Sequence, residues 1–130
     1  MTEKISQELV DLLERPLYGS LGTVRTDDTV QVNPMWFEYD GDKIRFTHTT
    51  KRAKYRNLRR NPAMSLLVID PENPLRYLEV RGTLEEIVPD LEGAFYVRLG
   101  RRYGNPDQQP PPDSPDRVIL VMTVTKSTGQ

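Results

Sequence analysis

The links between the apolar runs of this chain constrain it most, because several consist only of turn chemistry. Asp27-Asp28, Asp40-Gly41-Asp42 and the run DPENP at residues 70–74 each separate two strand-like segments. A parallel pair needs a crossover of about a dozen residues or more, whereas a turn of two to five residues joins antiparallel neighbours. The run at 17–26 mixes small and β-branched residues. Alternation resumes in TVQVNPMWFEYD, where Val30, Val32, Pro34 and Trp36 face one way and Gln31, Asn33, Met35 and Phe37 the other. Pro34 has no N–H for a ladder, so an edge or a bulge is expected there. With KIRFTHT at 43–49 these runs predict a three-strand meander. AMSLLVID at 63–70 is apolar on both faces and reads as a buried central strand. RYLEVRGTLEEIV and DRVILVMTVTK complete the strands.

Three segments carry helical spacing instead. Ile5, Leu9, Leu12 and Leu13 share a face over residues 5–13, with Ser6 as a cap and Pro16 as a stop. Residues 49–62 form a basic helix that Thr49 or Thr50 caps and Asn61-Pro62 ends. Pro89 and Asp90 open the last, with Leu91, Ala94, Phe95 and Leu99 on one face and Gly104-Asn105-Pro106 as terminator. The tract GNPDQQPPPDSP is too polar and proline-rich to pack and is expected to run extended over the surface. The fold class is therefore mainly β, an antiparallel β-barrel with attached α-helices, in one domain over residues 1–130.

Composition removes most protein-borne chemistry. With no cysteine and one histidine the chain has no thiolate nucleophile and no cysteine or all-histidine metal site. No paired-carboxylate spacing, GxGxxG or P-loop occurs. A net charge of −1 and a pI of about 5.9 give no global field toward nucleic acid or an anionic membrane. No run approaches a membrane span and the first residues lack a signal-peptide centre, so a cytoplasmic protein without nucleic-acid or membrane partners is expected.

One local exception stands out. Lys51, Arg52, Lys54, Arg56, Arg59 and Arg60 lie within ten residues, directly after Thr47-His48-Thr49-Thr50. Helix N-terminal N–H groups, threonine hydroxyls and cations there converge on a phosphate. The same run also reads as a solvated helix face. His48 either bonds such a phosphate or faces water, and no catalytic residue is assigned. Trp36 and Tyr55 read first as packing residues, with stacking on an aromatic ligand as the other role of Trp36.

The strand VQVNPMWFEYDGDKIRF, the run THTTKRAKYRNLRRNPAMSLLV and the strand RYLEVRGTLEEI resemble the flavin-binding split-barrel proteins related to pyridoxamine 5'-phosphate oxidase. KYRNLRRNP is the most specific element, and the chain is most similar to the B group of coenzyme F420 (deazaflavin)-dependent oxidoreductases. The resemblance implies a split barrel that forms a homodimer with two cofactor sites at the interface. It implies Thr47, Thr49, Thr50, Lys51, Arg52 and Lys54 on the cofactor's phosphate side, joined by His48. It also implies Val32, Asn33, Pro34, Met35 and Trp36 along the ring. Arg60, with Arg56 and Arg59, supplies cations for an acidic tail. The chain ends at MTVTKSTGQ, without the C-terminal extension of the oxidase itself, so a different member is expected. The implied function is an F420H2-dependent reductase that passes hydride to a conjugated small-molecule acceptor. An FMN-dependent oxidoreductase and a non-catalytic flavin-binding or deazaflavin-binding protein are the alternatives. Few chemical tools in the chain suit a bound cofactor that supplies the hydride.

Overall fold

The computed structural model describes residues 4–130. Seven strands are named in chain order: β1 (Gly19–Val24), β2 (Val30–Met35), β3 (Phe37–Tyr39), β4 (Lys43–Thr49), β5 (Ala63–Asp70), β6 (Asn73–Pro89) and β7 (Arg117–Gly129). The helices are α1 (Asp11–Glu14), α2 (Ala53–Arg60) and α3 (Ala94–Arg102), with a 3-10 turn at Ser114–Asp116. All strand pairs are antiparallel and form one sheet in the order β2-β1-β5-β6-β7-β4-β3. Strands β2 and β3 thus lie at opposite edges, yet only Trp36 separates them in sequence. One residue spans at most about 3.6 Å, so the sheet must curl until its two edges meet at Trp36. The result is the split β-barrel that the sequence implies.

That closure corrects the expected meander. The alternating run at 29–40 breaks at Trp36: β2 pairs with β1 and β3 pairs with β4, not with each other. Pro34 sits on an edge strand, opposite Ser20, where its missing N–H costs no ladder bond on the outer side. Val30 and Val32 face out, 62% and 59% exposed. The two hairpin turns use left-handed residues, Asp28 at φ 68° and Gly41 at φ 96°.

The core fills the barrel with Leu21, Phe37, Ile44, Phe46, Leu66, Leu120 and Met122, all fully buried. Strand β5 is central, but it alternates: Met64, Leu66 and Val68 point inward while Ile69 is exposed, so only one face is core. The first helix is shorter than expected. Residues 7–10 are turns, hydrogen-bonded through the Ser6 carbonyl, and only Asp11–Glu14 is helical. A helix this short has no stability of its own. It is held by Leu12 and Leu13, both fully buried at about 1.5–3 kcal/mol each, and by Arg102, which donates to the Leu13, Glu14 and Arg15 carbonyls.

Two further expectations change. Helix α2 starts at Ala53 without a side-chain cap; the Thr49 hydroxyl instead accepts the Lys51 N–H in a local turn. Helix α3 starts after the left-handed Gly93, and the buried Asp90 carboxylate accepts the Phe95 and Tyr96 N–H groups, leaving Leu91 outside and exposed. The proline tract does pack. A Cβ on Gly93 would lie 2.9 Å from Pro111, and one on Gly100 would lie 2.3 Å from the Gln108 side chain. Glycines just before and on α3 thus make room for the tract. Among the described residues no helix is long and apolar enough to cross a membrane.

Candidate cofactor cleft

Where the sheet edges meet, an open cleft of about 440 Å3 is lined by the end of β2 (Asn33, Pro34, Met35), Trp36, the end of β4 (Thr47, His48) and the approach to α2 (Arg52, Lys54). These groups meet because β2 and β4 both run out at this end of the barrel and the chain enters α2 directly from β4. Eight of the sequence-predicted site residues are therefore brought together.

Their electrostatics are one-sided. Lys54 is 7% exposed, and its ammonium donates to the neutral Asn33 Oδ1 at 3.0 Å. Neither Lys54 nor Arg52 has a carboxylate within ion-pair distance among the described residues. Burial, followed by repulsion from Arg52, holds the Lys54 pKa below its ordinary value. A buried cation with only an amide partner is costly unless an anion joins it.

His48 is 3% exposed, and its Nε2 has no hydrogen-bond partner. Burial first, then Lys54, Arg52 and Arg117, push its pKa down to about 4, so the imidazole is neutral at pH 7. Arg117 is itself held by Asp113, with Nε to Oδ1 at 3.0 Å, and lies 3.5 Å from the Thr47 hydroxyl. Two cations without counterions and an orphaned buried nitrogen fit an anionic, phosphate-bearing group. No group of three or more potential metal ligands occurs among the described residues.

Five of the predicted residues lie outside this cleft. Val32 faces out from β2, Thr49 is buried, Thr50 donates its N–H to the Asp116 carbonyl, and Lys51 is exposed. Arg60 bonds the Arg25 carbonyl and Asp28 Oδ1, so it fastens the β1–β2 turn to α2. Two lining residues were not anticipated, Tyr18 just before β1 and Tyr96 on α3. Trp36 belongs to the cleft rather than to the core. Its ring stacks on Tyr103 at 5.3 Å and 8° and meets Tyr96 at 5.9 Å. Tyr55, expected as a packing residue, lies half-buried against the core.

Residues 5–130 match the family model described as pyridoxamine 5'-phosphate oxidase. The chain belongs to the pyridoxamine 5'-phosphate oxidase family. The family's split barrel accounts for the closure at Trp36 and the cleft that it lines. A solved structure named F420 reductase is 58% identical, with a TM-score of 0.94, over 97% of this chain and 100% of that one. A conserved hypothetical protein from Mycobacterium tuberculosis is 24% identical, with a TM-score of 0.78, over 96% of this chain and 84% of that one. A putative member of the oxidase family from Lactobacillus delbrueckii is 19% identical, with a TM-score of 0.69, over 98% and 95%. The last two share the fold. No curated protein matches the sequence.

Proposed function

We propose that this oxidoreductase-family chain is an F420H2-dependent reductase that passes hydride to a conjugated small-molecule acceptor. The observation that carries the reading is Lys54, a buried cation without a carboxylate partner, in a chain 58% identical to a structure named F420 reductase. Lys54 and Arg52 would hold the cofactor's phosphate, with Thr47 and the neutral His48 as hydrogen-bonding partners. The edge strand β2 would border the ring through Asn33, Pro34 and Met35, where Pro34 lets a flat surface approach without an N–H in the way. A bound deazaflavin supplies a two-electron hydride donor that reacts poorly with oxygen. The chain's own groups then bind and orient it. No carboxylate lines the cleft among the described residues, and the proton for the acceptor comes from water or a nearby side chain.

The reading includes a homodimer. The 15.0 kDa chain exposes Val30 and Val32 side by side on β2, whose far end lines the cleft, and a second copy would cover them. Sedimentation velocity checks this: a single monomeric species at micromolar concentration would remove it.

An FMN-dependent oxidoreductase is the second reading, favoured by the description of the family that matches residues 5–130. Parallel fluorescence titrations of the purified protein with F420 and with FMN separate the two. Tight F420 and weak FMN binding support the first; the reverse supports the second. Tight cofactor binding without turnover of any acceptor would leave a binding protein only.

A further inference from the structure

The two edges of the curled sheet are joined through Trp36 but do not pair with each other, so side chains must hold the barrel shut at that seam. The end of α3 supplies them. Phe37 opens the edge strand β3, and both of its backbone groups are taken from there: the Tyr103 hydroxyl accepts the Phe37 N–H at 3.1 Å, and Arg102 Nε donates to the Phe37 carbonyl at 3.0 Å. The same hydroxyl donates at 2.8 Å to the carbonyl of Leu17, just before β1, the strand that pairs with β2. The other N–H groups of Arg102 reach the Leu13, Glu14 and Arg15 carbonyls. One hydroxyl thus ties the two sides of the seam together.

The ring of Tyr103 has a second task. The Trp36 indole, which lines the cleft, stacks on it with centroids 5.3 Å apart at 8°. Tyr103 therefore holds the main chain of Phe37 through its oxygen and the side chain of Trp36 through its face. Burial, the largest influence on its phenol, keeps the pKa above the ordinary value, so the proton given to Leu17 stays in place at neutral pH. Tyr103 is not itself a lining residue of the cleft. Whatever it does to a ligand there, it does through Trp36.

We propose that Tyr103 is a positioning residue of the cleft: its two hydrogen bonds lock the barrel seam and its ring fixes Trp36, so that a cofactor meets a wall already in place. The proposal rests on the proposed function for the identity of that cofactor. An indole held before binding spares the ordering that a mobile one would cost, so loosening the lock appears as lost affinity. Phenylalanine at position 103 removes the lock and keeps the ring, which separates the two tasks.

Trp36 is the chain's single tryptophan, so acrylamide quenching of its fluorescence reads the wall without turnover. The parent, Tyr103→Phe and Val124→Ala are compared, with urea midpoints and F420 polarisation measured on each. Val124 is buried six positions along β7 from Val118, which pairs with His48, so its truncation lowers stability far from the seam. Tyr103→Phe should raise the quenching of Trp36 and weaken oxidised F420 by about 2- to 10-fold, while Val124→Ala should lower the urea midpoint and leave both at parent values. Parent-like quenching or parent-like F420 affinity in Tyr103→Phe would overturn the proposal, as would equal changes in Val124→Ala. The parent alone gives a check that needs no variant: the Phe37 amide, held by a side chain, should exchange its hydrogen as slowly as the paired amides of β4, and fast exchange would overturn the lock. A parent that does not bind F420 would instead remove the proposed function, and Trp36 quenching with Phe37 exchange would still decide whether Tyr103 holds the wall.

Discussion

Replacing Lys54 with methionine should move affinity and stability in opposite directions. The side chain is buried, and among the described residues its only polar partner is the Asn33 amide oxygen at 3.0 Å and no carboxylate offsets its charge. Without a ligand, that charge is a liability whose cost appears as the depressed pKa. Methionine has similar length and volume and needs no solvation, and Asn33 lies half-buried where water can replace the lost donor. The ligand-free variant should therefore be as stable as the parent or up to about 2 kcal/mol more stable. With ligand, the same change removes a charge-assisted hydrogen bond to phosphate worth about 1.5–3 kcal/mol, a loss of about 10- to 150-fold in affinity. Urea denaturation of the free protein gives the first number and F420 titration gives the second. A variant destabilised by more than about 1 kcal/mol with unchanged affinity would show that Lys54 is a structural residue and that the cleft is not built for an anion.

Three other substitutions test parts of the account. His48 is neutral when folded, with a pKa of about 4, while the unfolded chain takes up a proton near 6.5. Stability should thus fall as pH drops from about 6.5 toward 4, by up to about 3 kcal/mol, and His48→Gln should flatten that part of the urea-midpoint profile; an unaltered slope would place the titration elsewhere. Gly82→Ala puts a Cβ 1.9 Å from the Thr123 carbonyl oxygen at the irregularity between β6 and β7, and thermal melts should show a loss of about 3 kcal/mol or no folded protein. A melt like the parent's would mean that the two strands part easily there. Asp90→Ala removes the acceptor of two N–H groups at the start of α3 and should cost about 1–2 kcal/mol, read by chemical denaturation, with no loss predicted only if α3 does not depend on that cap.

Much of this was legible in the residues because the physics is local. The turns at Asp27-Asp28 and Asp40-Gly41-Asp42 fix antiparallel pairing, and Pro34 marks an edge strand without any tertiary information. The basic run after Thr47-His48 pointed to the cleft for the same reason: strand end and helix start are adjacent in sequence. What was missed depends on closure of the sheet. Nothing in TVQVNPMWFEYD says that it must change edges at Trp36, because the alternation continues through the break. Tyr18 and Tyr96 reach the cleft from elements distant in sequence, so no spacing reveals them. Arg60 shows the opposite limit. Helical spacing does not tell which of several arginines turns toward Asp28 and which toward the cleft. The proline tract misled because its composition is that of a linker, while Gly93 and Gly100 quietly opened the surface that receives it.

A crystal structure of the protein with oxidised F420 tests the central claim most directly. The account predicts the phosphate within hydrogen-bond distance of Lys54 Nζ and Arg52, near the unpartnered His48 Nε2, with the deazaflavin ring along Asn33, Pro34 and Met35 and its exposed face toward Trp36. A phosphate bound away from Lys54, or a cleft that stays empty at saturating F420 while FMN fills it, would contradict it.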